Sequence, residues 1–428
     1  MEHSSVFLGM NKAIIAGLIL FFTYIFIAAE KIPKVTTVML GASLTLVLGI
    51  LPAHKAFACV DFGVITLLVS MMMIVHITSK SGVFSWFAVK LLKFTKGNPV
   101  YVLISLSVLT AFLSTFLNNV TTVILLIPIT FVIAKELNAD PIPFLITEVI
   151  ASNIGGTATL IGDPPNIIIG SAASLTFNDF LKELTPVVIL IFIVSTAVLV
   201  YLFRKDLINK PELANYIANL DDKNLIKDKQ LMIKSLLILS LTIIGFIFCG
   251  NFHLEAYMIS LMGASVLLLF DSPKKIIHEV EWLTIFFFIG LFIIIGGVES
   301  TGGIHFLAQK LLKLTQGDLK LTSMVILWGS GFLSAIIDNI PYTITMVPLV
   351  QELHNVMNIY PLWWALSLGA CLGGNATIIG AAANVVVSEA SYEEGHPISF
   401  FRFMKYGLLI TIISLAISSI YIYFRFLA

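Results

Sequence analysis

Two carboxylates, Asp163 and Asp338, stand inside otherwise apolar sequence, each flanked by amides, hydroxyls and glycines. A charge in that setting costs several kcal/mol unless it is paired or hydrated, so it marks a functional position. Asn and Thr oxygens can ligate a small hard cation, and a carboxylate beside them can exchange that cation for a proton. Neither polar island contains a Lys or Arg. Such a set suits a cation, a proton or a neutral hydroxylated solute; a di- or tricarboxylate would need coupled cations and helix N-termini to offset its charge. No hydrolase triad, phosphate loop or metal-ligand spacing occurs, so the chain does not read as an enzyme. Cys59, Cys249 and Cys371 lie far apart without CxxC spacing, which points to neither a disulfide framework nor a metal cluster.

The islands recur. Phe112-Leu113-Ser114, Asn118-Asn119 and Pro128 return as Phe332-Leu333-Ser334, Asp338-Asn339 and Pro348, and Gly155–Gly162 with Asn166 returns as Gly373–Gly380 with Asn384, 218 to 220 residues on. A matched pair of polar, glycine-rich interruptions is the signature of a transporter whose substrate and ions bind where two repeats meet. The charge is not repeated: Asp163 is matched by Ala381, and Asp338 by Asn118. One site is therefore expected from Asn118, Asn119, Thr121, Thr159, Asp163 and Asn166, with Thr122 and Thr157 beside it. Asp338, Asn339, Thr343, Asn375, Thr377 and Asn384 make the other. Na⁺ is expected at Asn118, Asn119 and Asp163. Asp163, Asp338, Glu148 and Glu299 are the candidates for proton coupling. His76 and His305, lone histidines on helical runs, read as packing residues.

The elements that must hold these groups are membrane helices. The chain of 428 residues is 58% hydrophobic and 12% charged, with mean hydropathy +0.99, and a soluble domain carries roughly 25% charged residues. The reading is an all-α polytopic membrane protein of two inverted-topology repeats. Residues 1–203 form the first, with a re-entrant hairpin at about 99–135 and an interrupted helix at about 140–175. A cytoplasmic linker covers 204–230. Residues 231–428 form the second, with its hairpin at about 320–354 and its interrupted helix at about 360–391. The second arm of the first hairpin, Val123–Ala134, is expected to be too short to cross, and Gly155, Gly156 and Gly162 to free the backbone at the break. Ser81–Thr95 and Thr301–Thr315 look amphipathic and are expected at the interface. The first span is expected to stay in the mature protein. Five crossings per half place eighteen Lys and Arg on one side and seven on the other. The richer side is then cytoplasmic, in the inner membrane, with both termini outside. Zero net charge gives no reason to expect nucleic acid.

Asn118-Asn119-Val120-Thr121-Thr122, Glu148 and the run Asn153 to Asn166 with its Gly-Asp-Pro-Pro-Asn resemble the arsenite permease/P-protein branch of the ion transporter superfamily. That superfamily also holds NhaD-like sodium/proton antiporters and carboxylate carriers of the citrate type. The resemblance implies opposed hairpins, broken helices and a homodimer. It also implies that Asn118 to Thr122 and Thr157 to Asn166 line one ion site, with Asp338, Asn339 and Asn375 to Asn384 near the other. The expected activity is secondary active transport of a small inorganic ion or oxyacid, coupled to Na⁺ or H⁺ by alternating access, as cation/proton antiport or arsenite-type efflux. The rival readings are Na⁺-coupled uptake of a carboxylate such as citrate, and a passive ion channel on the same scaffold.

Overall fold

In the computed structural model, residues 6–7, 10–29, 31–96, 98–137, 139–207, 225–252 and 254–428 are described. Apart from a two-residue ladder pairing Val6–Phe7 with Met10–Asn11, they are helical. Among the described residues, seven helices are long and apolar enough to cross a membrane: Lys12–Ala29, Phe62–Lys80, Asn119–Glu136, Thr185–Phe203, Lys229–Phe248, Trp282–Ser300 and Phe400–Leu427. Their outer faces carry large apolar side chains in the open, among them Phe21, Ile193, Leu241, Phe286 and Ile412. An apolar surface of that extent needs lipid against it.

Helix starts follow the local chemistry. Asn98 precedes Pro99–Ser114, accepts from the amides of Val100 and Tyr101, and leaves Pro99 at the position where a missing N–H is harmless. Asp61 and Asp318 cap Phe62–Lys80 and Leu319–Ser334 in the same way. Three short helices that hydropathy does not reveal, Ala53–Cys59, Phe177–Glu183 and Pro273–His278, begin at a proline or at the Thr176–Asp179 capping box. The amphipathic stretches form helices at Val83–Phe94 and Gly303–Thr315.

Two features differ from expectation. The stretch expected to be the second, short arm of a first hairpin is a helix, Asn119–Leu137, of 19 residues with Pro128 inside, because Asn119 to Thr122 join it, and it is long and apolar enough to cross. Helices Lys34–Val47 and Ala256–Leu267, at 14 and 12 residues, are shorter than the roughly 17 residues that a full crossing needs. Residues 208–224, most of the expected linker, lie outside the described residues.

Polar contacts tie distant segments at the helix ends. Lys80 pairs with Asp271 (2.7 Å), Arg402 with Asp140 (2.9 Å) and His305 with Glu352 (2.6 Å). Arg425 grips Glu183 through Nε (2.9 Å) and Nη2 (3.1 Å). Lys12 Nζ donates to the Gly49 carbonyl, and Gln351 to that of Ala172, both at 3.1 Å.

Candidate functional site

Helix Ile142–Thr157 stops, the chain wanders through 158–163, and a new helix begins at Pro164. Likewise Tyr360–Gly373 gives way at 374–381 to Ala382–Glu393. Against each interruption lies the turn between the two helices that precede it. Thr159 Oγ1 donates to the Thr115 carbonyl (2.5 Å), and Thr377 Oγ1 to that of Ala335 (2.5 Å). Each of these hydroxyls also accepts from the next glycine, Gly162 or Gly380, at 3.1 Å. Asn166 Nδ2 holds the carbonyls of Thr157 (3.0 Å) and Thr159 (2.8 Å), and Asn384 Nδ2 holds those of Gly374 (2.8 Å) and Thr377 (2.7 Å). Non-helical backbone at membrane depth must be satisfied by protein, and these four side chains do that.

The glycines act differently from expectation. Gly155 and Gly156 are helical, and Gly155, Gly156 and Gly162 all have ordinary φ. What they permit is approach: a Cβ on Gly155 would sit 2.2 Å from the Ala111 carbonyl oxygen, and one on Gly162 2.6 Å from that of Ser114. Gly373 meets Gly331 in the same manner, at 2.5 Å. Small residues at a membrane helix contact let backbones touch. Here they bring helices Pro99–Ser114 and Leu319–Ser334 onto the broken helices.

Most of the residues assigned by sequence to two sites meet in one buried seam, with Asn118, Thr121 and Thr377 half-buried at its edge. Asn339 Nδ2 reaches both oxygens of Asp163, at 3.4 and 3.3 Å. Asn153 Nδ2 donates to Asn375 Oδ1 (2.9 Å) and Asn384 Oδ1 (3.0 Å), and its own oxygen lies 3.3 Å from the Asn119 amide. Asn119 also contacts Ser114; with its amide turned over, its nitrogen reaches the carbonyls of Gly162 (3.3 Å) and Ser152 (3.2 Å). Ser367 donates to Asn166 Oδ1 at 2.6 Å, with Cys371 Sγ 3.6 Å away. Thr157 and Thr343 bond carbonyls of their own helices. Thr122 Oγ1 and Asn375 Nδ2 are buried without a partner.

Asn118, Asn119, Asp163 and Asn339 line one cavity of about 50 Å³, together with Glu281, Thr284 and Ala381 to Ala383. Thr121 and Asn118 border a smaller one of about 20 Å³ against Met71 and Met72. Asp163 is 2% exposed and is bonded by the side chains of Cys371, Asn339 and Asn119. Asp338, equally buried, accepts from Ile340 N (3.2 Å) and pairs with Lys34 Nζ at 2.9 Å. The seam therefore does contain a fixed cation. It comes from the start of helix Lys34–Val47, an element remote in sequence.

Other candidates fall elsewhere. Glu148 is buried within its helix and accepts from Thr130 Oγ1 at 2.5 Å. Glu299 is exposed at the end of Trp282–Ser300, not buried in an apolar span. His76 is half-buried and His305 exposed. Lys34, Asn153, Ser367, Cys371, Glu281 and Thr284 were not among the expected ligands. Only Asn153 carried a signal, as an amide within an apolar helical run. Replacing it with Ala leaves the oxygens of Asn375 and Asn384 without a donor. An unpaired buried polar group costs about 1–3 kcal/mol, so a lower unfolding temperature in detergent is expected. An unchanged melting curve would remove Asn153 as the bridge.

The sequence profile of the CitMHS citrate transporter family matches residues 24–369. The chain belongs to the citrate transporter family. It is 40% identical to an uncharacterized transporter of Mycobacterium tuberculosis across 97% of this chain and 99% of that one. A 46 kDa membrane protein of Mycobacterium leprae is also 40% identical, over the same shares. The P protein of Sus scrofa is 31% identical over 95% of this chain, which spans 59% of that protein's length. The fold is similar to that of the YdaH transporter of Alcanivorax borkumensis, with TM-score 0.54, 15% identity, and 83% and 84% of the two chains covered. Like other members of the citrate transporter family, this is a multi-span secondary transporter of a small solute and not an enzyme.

Proposed function

We propose that this transporter moves a small inorganic ion, exchanged against Na⁺ or H⁺ by alternating access, with Asp163 as the central ligand. The observation that carries this is the cavity of about 50 Å³ in which Asp163 meets Asn118, Asn119 and Asn339. At roughly 30 Å³ per water, that space suits a small ion with one or two waters. The helix entering it at Pro164 cannot favour an anion through its first amides, because Pro164 and Pro165 have no N–H and Asn166 N is turned to the Asp163 carbonyl.

In this reading the two turns are tips of re-entrant hairpins. Support comes from depth: each tip ends where the neighbouring broken helix is interrupted, while that helix continues beyond. Residues 1–203 and 231–428 are inverted repeats. Val83 and Gly303, Pro99 and Leu319, and Asn119 and Asn339 open corresponding helices 220 residues apart. The charge-based topology, with cytoplasmic linker and outside termini, also agrees with the helix-end contacts. Lys80–Asp271 and Arg402–Asp140 each join two residues given to the cytoplasmic side, and Arg425–Glu183, His305–Glu352 and Gln351–Ala172 two given to the other. A homodimer is the assembly that the resemblance implies.

Carboxylate uptake is the second reading, favoured by the family's description as citrate transporters and by the second interruption. There Ala382 and Ala383 keep their amides at a helix start facing the cavity. The deciding experiment uses purified protein in liposomes, with internal pH followed as Na⁺, Li⁺, arsenite, chloride or citrate is added. Movement of pH with Na⁺ or Li⁺ is expected. A response to citrate alone would turn the assignment to carboxylate uptake, and flux indifferent to every imposed gradient would leave a passive channel.

A further inference from the structure

We infer that Lys34 is a tethered counter-cation for Asp338, which the second hairpin exchanges for a loaded cation before it can leave the first two helices. The inference rests on the cation-exchange reading above and adds a residue that determines coupling. Lys34 Nζ lies 2.9 Å from Asp338 Oδ2, with the aspartate side chain 3% exposed and the lysine 26%. A second grip stands beside it. Tyr24, on Lys12–Ala29, donates to the Pro341 carbonyl at 2.7 Å and contacts Thr345 Oγ1. The tip is thus clasped by a phenol and an ammonium from two helices outside it.

The molecule supplies its own control. In the first hairpin the residue matching Asp338 is Asn118. At the same offset of 220, Tyr24 and Lys34 are matched by Ile244 and Leu254, both apolar. Acid and base therefore occur together at one of the two matched positions where the halves meet, Lys34 with Asp338, and are absent together from the other, Leu254 with Asn118, as a functional pair requires.

The helix dipoles make the pair easy to part. Lys34 is the first residue of Lys34–Val47, the end that disfavours a positive charge. Asp338 caps the start of Asn339–Glu352, the end that favours a negative one. Asp338 also holds φ +25°, the left-handed region, so the tip backbone is strained while the pair is made. A proton or a metal cation on Asp338 removes the need for Lys34. Without one, separation would strand a buried carboxylate, which the membrane interior penalises heavily. The unloaded hairpin stays clasped and the loaded one is released.

Hydrogen–deuterium exchange of full-length protein in nanodiscs, read on peptides covering 335–345, tests this. Asp338→Asn imitates the neutralised carboxyl and should raise exchange there at least tenfold. Lys34→Met should do the same, and Lys34→Arg should stay near wild type. Should Lys34→Met fail to fold, the double variant Lys34→Met/Asp338→Asn removes both charges and should match Asp338→Asn. Wild-type exchange in Asp338→Asn, or in the double variant, would overturn the inference. If liposomes show no coupled flux while these variants still release the tip, the functional reading fails and the clasp stands.

Discussion

Gly155→Ala is expected to leave little or no folded protein. The added methyl would lie 2.2 Å from the Ala111 carbonyl oxygen and 2.6 Å from its Cα, both backbone atoms of the facing helix Pro99–Ser114. Overpacking typically costs about 1–3 kcal/mol where side chains can shift. Two backbones cannot yield without parting that helix from the broken helix along their shared face. The loss should therefore reach or pass the upper end of that range, a large fraction of the roughly 5–15 kcal/mol that holds a typical protein together. Gly373→Ala, against Gly331 O at 2.5 Å, should behave alike. Gly17→Ala is the control, since nothing lies within 4 Å of a Cβ there. Folded yield after size-exclusion chromatography in detergent decides the matter: near-normal yield of Gly155→Ala would mean that the contact is looser than described.

Asp163→Asn is expected to keep the fold and abolish coupled flux, by about a hundredfold or more. The amide is nearly the shape of the carboxylate and still meets Asn339, so the seam persists. What disappears is the negative charge, and with it the group proposed above to trade a proton for a cation. The measurement is gradient-driven flux in liposomes beside the thermal midpoint in detergent. Retained flux would remove Asp163 from the mechanism. A midpoint lowered together with flux would instead make its role structural.

Much of the architecture was legible because bilayer physics leaves few options. Helical runs, their interruptions and the tips with polar residues all read directly from hydropathy, Gly, Pro and the recurrence. Asn166, Thr159, Asn384 and Thr377 were legible as important but not in role: the same amide that ligates an ion also satisfies a broken backbone, and only geometry separates the two. The contribution of Lys34 was illegible, since 304 positions separate it from Asp338 and nothing local marks a lysine at a helix start as facing inward. The glycines misled for a related reason. Backbone freedom and close approach select the same residue, and sequence alone does not say which one is used.

The amide bridge from Asn153 to Asn375 and Asn384 bears on how such a molecule can move. It stitches the broken helix of the first half to that of the second, at the centre of the buried seam. Rocking one half of the chain against the other as rigid blocks would have to tear that stitch in every cycle. On the alternating-access reading proposed above, the mechanical parting line is therefore not the line between the two halves of the gene product. It runs instead around the core that both halves share, where Lys34 and Tyr24 reach across from the surrounding helices.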